Sequence, residues 1–348
     1  MKVFKVGIAG YGVVGRRRHH FIDKHDNLKV TAVCDRSFQE SGVLESGVKC
    51  FNDYQKLLDE DLDALFVCVP NYLAWEITIA GLEKDLHVFC EKPPGRNLED
   101  IGKVILCEQK HPNLVLKYGF NHRYHDSVID ALKMIRSGEF GSIINMRGIY
   151  GKSKIISFQS DWRTRFADAG GGILLDQGIH MVDLMRLFAG DFVEVKSFIS
   201  NKFWNHDVED NAYALLRTES NVFAMLHSSA TQWRHRFELE IALQKGTIVL
   251  AGILSGSKSY GAETLTVAFS SEEGNGDPKE IRTKYNEDNS WWAEILEFAD
   301  CMINNKKVEN GSSNDALHTM QLVYQIYCAD SNWKEEKNLS ADLPYELK

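Results

Sequence analysis

The feature that most constrains this chain lies at its start, where the apolar run Val3–Ala9 leads directly into Gly10-Tyr11-Gly12-Val13-Val14-Gly15. A G-x-G-x-x-G pattern alone is weak, because glycines also mark ordinary turns. Its place between a strand and a helical stretch gives it meaning. Gly10 permits a tight turn, Gly12 lets the backbone approach a pyrophosphate, and Gly15 lets the helix pack closely on the strand. The helix start then offers N–H groups and positive potential to phosphates. Asp35 follows 20 residues after Gly15, at the end of the next apolar run. A carboxylate there accepts hydrogen bonds from ribose hydroxyls and repels a 2′-phosphate, which favours NAD over NADP. The neighbouring Arg36 keeps NADP open, since it could pair with that phosphate or stack on adenine. Arg16-Arg17-Arg18 reads either as help for the pyrophosphate or as a solvated helix face, and His19 and His20 as surface or packing residues.

Further short apolar runs at Val30–Cys34, Ala64–Val69, His87–Cys90 and Leu114–Tyr118 alternate with helical periodicity at Ala74–Lys84 and Leu98–Gln109. Continuous apolar strands separated by helices predict a parallel sheet covered on both faces. After about residue 122 the pattern changes. Helical signals at Val128–Ser137 and Leu174–Phe188 flank a strand at Ile143–Tyr150. Strand patterns follow at Val193–Ser200, Asn211–Thr218, Val222–Ser229, Phe237–Leu243, Thr247–Ala251 and Thr264–Ser270, then a surface turn at Ser271–Asp277. Helical periodicity returns at Trp291–Ile303 and Asp315–Cys328. The expectation is an α/β dinucleotide-type domain over residues 1–122. An α+β domain over 123–348 follows, with a mostly antiparallel sheet exposed on one face and the helix segment 312–330 packing back on the first domain.

Composition narrows the function classes. A net charge of −9 argues against a general nucleic-acid surface. No apolar run approaches the ~20 residues that span a bilayer, and the N-terminus enters a strand pattern at once, without a signal-peptide layout. Seven cysteines stand singly, with no Cys-x-x-Cys pair. They read as buried reduced thiols of a cytoplasmic protein, not as disulfides or a zinc site.

Two segments carry candidate chemistry. Glu91-Lys92-Pro93 closes the apolar run His87–Cys90, and strand ends in an open parallel sheet point at the ligand crevice. A lysine there can stabilise negative charge developing on a substrate oxygen. Asp176 and His180, after the run Gly170-Gly171-Gly172, are four apart and would share a helix face. A histidine can take a hydroxyl proton near neutral pH, with the carboxylate orienting its ring. A helix cap beside a satisfied core histidine would look the same in isolation. The glycine run reads as flexible.

Taken together, the glycine loop, Val69-Pro70-Asn71, Glu91-Lys92-Pro93, Gly119-Phe120-Asn121-His122-Arg123-Tyr124, Trp162-Arg163, Asp176 with His180, and Val208-Glu209-Asp210-Asn211 resemble the Gfo/Idh/MocA oxidoreductases from about residue 4 to about residue 330. The resemblance implies a Rossmann domain followed by a domain with a large open sheet whose face forms a homodimer or homotetramer. It implies NAD or NADP held by Gly10–Gly15, Asp35, Arg36, Val69, Pro70, Asn71, Glu91, Lys92, Pro93 and Asn121. It also implies Lys92 on the reacting hydroxyl, His180 as acid/base, Asp176 as orienting group, and a cis Lys92–Pro93 peptide. Many members carry a histidine where this chain has Ala74.

The substrate expected is a sugar or cyclitol bearing a secondary alcohol. Segment Tyr150–Ala169 should line its pocket. Lys152, Lys154, Arg163 and Arg165 there suggest an acidic or nucleotide-linked sugar, although solvated loop charges would look alike. Trp162 could stack on the ring or anchor the loop, and Arg123, Tyr150 and Gln177 are further candidate contacts. The alternatives are an oxidoreductase that recycles a tightly bound NAD, and a catalytically silent NAD-binding regulator.

Overall fold

The computed structural model describes residues 2–153, 161–255, 259–269, 277–344 and 347. A seven-stranded sheet comes first: β1 (Phe4–Ala9), β2 (Leu28–Cys34), β3 (Gly42–Val43), β4 (Lys49–Phe51), β5 (Ala64–Val67), β6 (His87–Glu91) and β7 (Leu116–Gly119). Its order is β3-β4-β2-β1-β5-β6-β7, parallel except for the short β3–β4 pair. The central strands are buried on both faces, which is why they read as unbroken apolar runs.

Helices α1 (Val13–Ile22), α2 (Tyr54–Leu58), α3 (Asn71–Glu83) and α4 (Leu98–Glu108) connect these strands. Ile77 and Leu82 of α3 and Ile101 and Val104 of α4 pack on one face, with Leu65 and Val88. The other face is closed by α1 and by a helix from the far end of the chain, α8 (Ser290–Asn304). Phe298 of α8 stands edge-on to the stacked pair Phe66 and Phe89, with ring centroids 5.3 and 5.6 Å away.

The second sheet has eight strands: β8 (Ile143–Ser153), β9 (Phe192–Ser200), β10 (Asn211–Thr218), β11 (Phe223–Gln232), β12 (Arg236–Leu243), β13 (Gly246–Ala251), β14 (Glu263–Phe269) and β15 (Lys279–Tyr285). All neighbours are antiparallel except β8 and β11, which run parallel. Helices α5 (Asp126–Arg136), α6 (Phe166–Ala169) and α7 (Ile179–Ala189) belong to this half, followed late in the chain by α9 (Ser313–Ala329) and α10 (Ser331–Lys337). The α7 side chains Met181 and Met185 lie over Gly148 of β8, where a Cβ would come 2.5 Å from Met185 Cε. Helix α9 packs against α4, α7 and β9, so it joins the two halves.

Most expected elements are found within a few residues of the sequence reading. Strand β15 is an addition, because its exposed, charged residues carry no core alternation, and so are the short β3, β4 and α2. Most of the Ser271–Asp277 turn, and Lys154, lie outside the described residues. All seven cysteines are free thiols; five are buried, whereas Cys68 and Cys328 are half-buried. Among the described residues no helix is long and apolar enough to cross a membrane.

Candidate active site

A cavity of about 790 Å³ opens where the C-terminal ends of the first sheet's strands face the second half of the chain. At one end lies the turn between β1 and α1. Gly10 has φ +91°, and a Cβ there would stand 2.2 Å from the Cys68 carbonyl oxygen. A Cβ on Gly15 would meet the Gly10 carbonyl at 2.0 Å, so Gly15 is needed for packing and does not line the cavity. Gly12 has nothing within 4 Å of its would-be Cβ and does line the cavity, together with Val13 and Val14. The turn therefore leaves open space at an uncapped helix start, the kind of cradle a pyrophosphate fills.

Asp35 borders the same end. Its carboxylate accepts from Tyr11 N–H at 2.8 Å and Ser37 N–H at 2.9 Å. Burial raises its pKa, but these N–H donors and Arg36 outweigh burial and hold it below the usual carboxylate value. An ionised acceptor thus borders the cavity beside the glycine turn. Tyr11 contributes this N–H from behind and does not line the cavity; its hydroxyl lies 2.6 Å from His19 Nδ1. Arg36 reaches Tyr72 Oη at 3.1 Å. The three arginines of the basic run separate. Arg16 leans over the Tyr11 ring, Arg17 lines the cavity and lies over Trp291, and Arg18 is wholly buried between Glu91 and Glu294 at 2.6 and 2.7 Å.

Val69, Pro70, Asn71, Glu91, Lys92, Pro93 and Asn121 form the middle of the cavity. Asn71 is buried, and its Nδ2 donates to the Ala169 carbonyl at 2.7 Å, tying the β5 end to the loop before the second chemical segment. The Lys92–Pro93 peptide is cis. Lys92 Nζ donates to the Asp176 carbonyl at 2.5 Å and lies 3.9 Å from the Asp176 carboxylate.

Asp176 and His180 share the cavity wall, but no hydrogen bond joins them among the described residues. Leu174–Gly178 is a π-helical turn that runs into α7, and the expected orienting contact from the Asp176 carboxylate to the His180 ring is not formed. Asp176 faces Lys92 instead. Burial raises its pKa, and Lys92, Arg163 and Lys152 more than compensate, so the carboxyl sits below its ordinary value. His180 is pushed well below the usual imidazole range, first by burial and then by His122, Lys92 and His125. It is a neutral base at neutral pH. Its ring stacks on that of His122, with centroids 3.8 Å apart and planes 10° from parallel.

The glycine run is a close-packing device, contrary to the flexibility expected of it. A Cβ on Gly170 would stand 2.0 Å from the Arg96 carbonyl, on Gly171 2.2 Å from Tyr327 Oη, and on Gly172 2.1 Å from the Glu209 carbonyl. Glu209 completes the clamp, accepting from Gly172 N–H at 2.6 Å, Leu174 N–H at 2.9 Å and Tyr327 Oη at 2.8 Å. These bonds satisfy orphan donors at the start of the wall helix.

Tyr150, Trp162 and Arg163 line the remaining end. Arg123, Lys152 and Gln177 do not. Arg123 is buried, holding Asp183 through two bonds of 2.7 Å with a further contact to Asp315 at 3.1 Å. Its role is structural, because it is buried away from the cavity and its fork is turned to Asp183 and Asp315. Gln177 accepts from Tyr260 Oη at 3.0 Å. Arg163 pairs with Asp161 at 3.2 Å and lies over Trp162, while Arg165 pairs with Asp168 at 2.5 Å. Arg17, one of the three arginines read as possible help for the pyrophosphate, lines the cavity, and so do His122, Trp291 and Ile253–Ser255, which were not singled out as ligand contacts. Only His122 had a local signal, its place between Asn121 and Arg123.

Comparison with known proteins agrees with this geometry. Residues 4–119 match the oxidoreductase family model with an NAD-binding Rossmann fold, and residues 128–249 match the GFO/IDH/MocA C-terminal domain. Levoglucosan dehydrogenase of Pseudarthrobacter phenanthrenivorans is 33% identical over 152 residues, covering 43% of this chain and 39% of that enzyme. Inositol 2-dehydrogenase of Salmonella typhimurium is 27% identical over 203 residues, covering 56% and 57%. The chain thus spans less than two thirds of the length of these relatives. A solved levoglucosan dehydrogenase in complex with NADH and L-sorbose superposes with a TM-score of 0.83 at 20% identity, over 96% of this chain and 98% of that one.

Proposed function

We propose, from the premise that this chain belongs to the GFO/IDH/MocA family of oxidoreductases, that it is an NAD-dependent dehydrogenase acting on a secondary alcohol of a sugar or cyclitol. The observation that carries this reading is one cavity that combines an open glycine turn and an ionised Asp35 at one end with Lys92 and a neutral His180 at the other. NAD, when held by the glycine turn and Asp35, would supply the two-electron acceptor for the hydride of the oxidised carbon. Lys92 orients the substrate hydroxyl and stabilises the negative charge that grows on its oxygen. His180 accepts the hydroxyl proton, and in the reverse direction returns it. Asp176 holds the Lys92 ammonium through its carbonyl and carboxylate, so Lys92 stays aimed across the cavity.

The substrate is read as uncharged. Arg163 and Arg165 each have an aspartate partner within the loop, and Lys152 acts electrostatically on Asp176. The printed activities of the relatives, on levoglucosan and on inositol, support an uncharged polyol. The test is thermal stabilisation by NAD and NADP, followed by sugars, sugar acids and cyclitols with the better cofactor. A ligand that binds only the native state raises the midpoint by RT ln(1 + [L]/Kd). We expect a rise with NAD and a further rise with a neutral polyol. No rise with either cofactor, in protein shown by absorbance to carry none, would overturn the reading. Turnover without added cofactor would favour the recycling alternative.

Cofactor choice follows from Asp35. Replacing Asp35 with serine removes the charge that repels a 2′-phosphate and shifts preference toward NADP, read as the ratio of kcat/KM values for the two cofactors. A parent protein that already prefers NADP strongly would sink this assignment.

The outer face of the second sheet fits a second copy of the chain. Phe198, Tyr213, Leu215, Phe223 and Met225 are exposed on the adjacent strands β9, β10 and β11, with Phe198 81% and Leu215 61% exposed. Such a contiguous apolar face is characteristic of a protein contact, and an isologous pairing covers it with itself. Sedimentation should show an oligomer for the parent and a monomer for Leu215→Asp. A parent that sediments as a monomer would contradict the pairing.

A further inference from the structure

We infer that His122 is a positioning residue, held in one tautomer by a hydrogen-bond chain ending at Asp288, and that this tautomer leaves His180 as the ring of the stacked pair that exchanges a proton. The inference deepens the proposed function and rests on it for the role of His180.

Two parallel imidazoles 3.8 Å apart pose a problem of assignment, since charge on either opposes charge on the other. The neighbouring groups resolve it from the outer end inward. Asp288 precedes α8, and its Oδ1 accepts from Ser290 N–H at 3.1 Å and from Ser290 Oγ–H at 2.6 Å. A carboxylate has no proton to give, so the serine hydrogen is committed to it. Ser290 Oγ can then only accept from its other partner, Asn121 Nδ2, at 3.1 Å. That fixes the amide, with Asn121 Oδ1 turned to His122 Nδ1 at 3.1 Å. An amide oxygen only accepts, so the proton of neutral His122 is on Nδ1. Nε2 is left bare and accepts from the Tyr150 hydroxyl at 3.1 Å.

Both ring nitrogens of His122 are thereby occupied in the neutral state. A second proton on Nε2 would oblige Tyr150 to withdraw its donor. The groups facing His122 give that proton no welcome: Lys92, His125 and His180 surround it, and burial followed by the positive field of His125 and Lys92 holds its pKa well below the ordinary value. The nearby carboxylates are engaged elsewhere, Glu263 by His125 Nδ1, Ser127 and Leu254, and Asp176 by Lys92. His180 stands in contrast. Its Nδ1 has no partner among the described residues, and its ring borders the cavity, so no fixed chain specifies where its proton sits. Ser290 and Asp288, which do not line the cavity, thus act on the chemistry through His122.

The experiment is a multiple-bond 1H–15N spectrum of the full chain labelled in the histidine rings, from pH 6 to 8, with His122 assigned by the signals lost in His122→Gln. We expect a neutral ring protonated on Nδ1 throughout. Ser290→Ala frees the Asn121 amide to turn, and Asp288→Leu removes the acceptor that commits the Ser290 hydrogen. Each should convert the His122 signals to the Nε2–H form or a mixture, and should move the acid limb of the kcat–pH profile, which loss of packing alone would leave in place. If His122→Gln fails to fold, the signals that change in both remote variants assign the ring. An imidazolium or Nε2–H form of His122 in the parent would overturn the inference, as would an unchanged tautomer and pH profile in both variants. Normal turnover in His180→Asn beside the expected His122 tautomer would instead locate the failure in the catalytic reading.

Discussion

Replacing His180 with asparagine lowers turnover by about 10²–10⁴-fold, the usual contribution of a positioned general base, while NAD binding stays within a few-fold of the parent. The ring borders the cavity beside Lys92 and is neutral at neutral pH, whereas asparagine keeps polarity without a basic lone pair. Lys92→Ala should show a loss of comparable size, because Lys92 serves the growing negative charge and not the ground state alone. The pH dependence has a defined sign. Alcohol oxidation needs neutral His180, so activity falls as pH drops through its pKa. Burial first, and then His122, Lys92 and His125, place that fall below the ordinary histidine range of about 6.5. The check is steady-state kcat and KM against pH for parent and variants. Near-parental kcat in both variants would remove these residues from the chemistry.

Arg123→Ala should be the most damaging substitution for stability, costing about 3–5 kcal/mol, the usual result of removing one partner of a buried ion pair. Arg123 and Asp183 are both buried, and two bonds of 2.7 Å join them across 60 residues of sequence. Alanine would leave the Asp183 carboxylate desolvated, with Thr319 Oγ1 at 3.1 Å as its remaining side-chain partner among the described residues. Urea denaturation, read as a midpoint shift at constant slope, measures this. The double variant Arg123→Met with Asp183→Leu should recover much of the loss, since the penalty comes from the stranded charge and not from the missing attraction. A single variant within 1 kcal/mol of the parent, by the scale of an ordinary surface substitution, would show that water reaches Asp183.

The limits of the sequence are visible at these same residues. Strands β1, β2, β5, β6 and β7 were legible because burial on both faces writes itself as unbroken apolar runs, whereas the short β3, β4 and α2 carry no such run. The glycine turn was legible because each glycine answers a separate steric demand. Arg123 and Arg18 looked like ligand contacts or surface because their acidic partners lie far away in the chain, at Asp183, and at Glu91 and Glu294. Local spacing carries no trace of such pairs. The π-turn at Leu174–Gly178 was invisible for a different reason. Its apolar residues are buried as an α-helix would bury them, and only the backbone bonding differs. Gly170–Gly172 shows how one composition supports opposite readings, since glycine serves both flexibility and close approach, and only Arg96, Glu209 and Tyr327 decide between them.

The position of Phe298 bears on how the molecule is made. The first sheet closes one of its faces with a residue that leaves the ribosome long after the sheet's own last strand, β7. Until then Phe66 and Phe89 present a stacked aromatic surface to water. Burial of that face therefore waits on α8, a departure from the usual order in which domains fold one after another during synthesis. Its completion waits on the second half, and a ribosome stalled before α8 would hold an exposed hydrophobic face for chaperones to find.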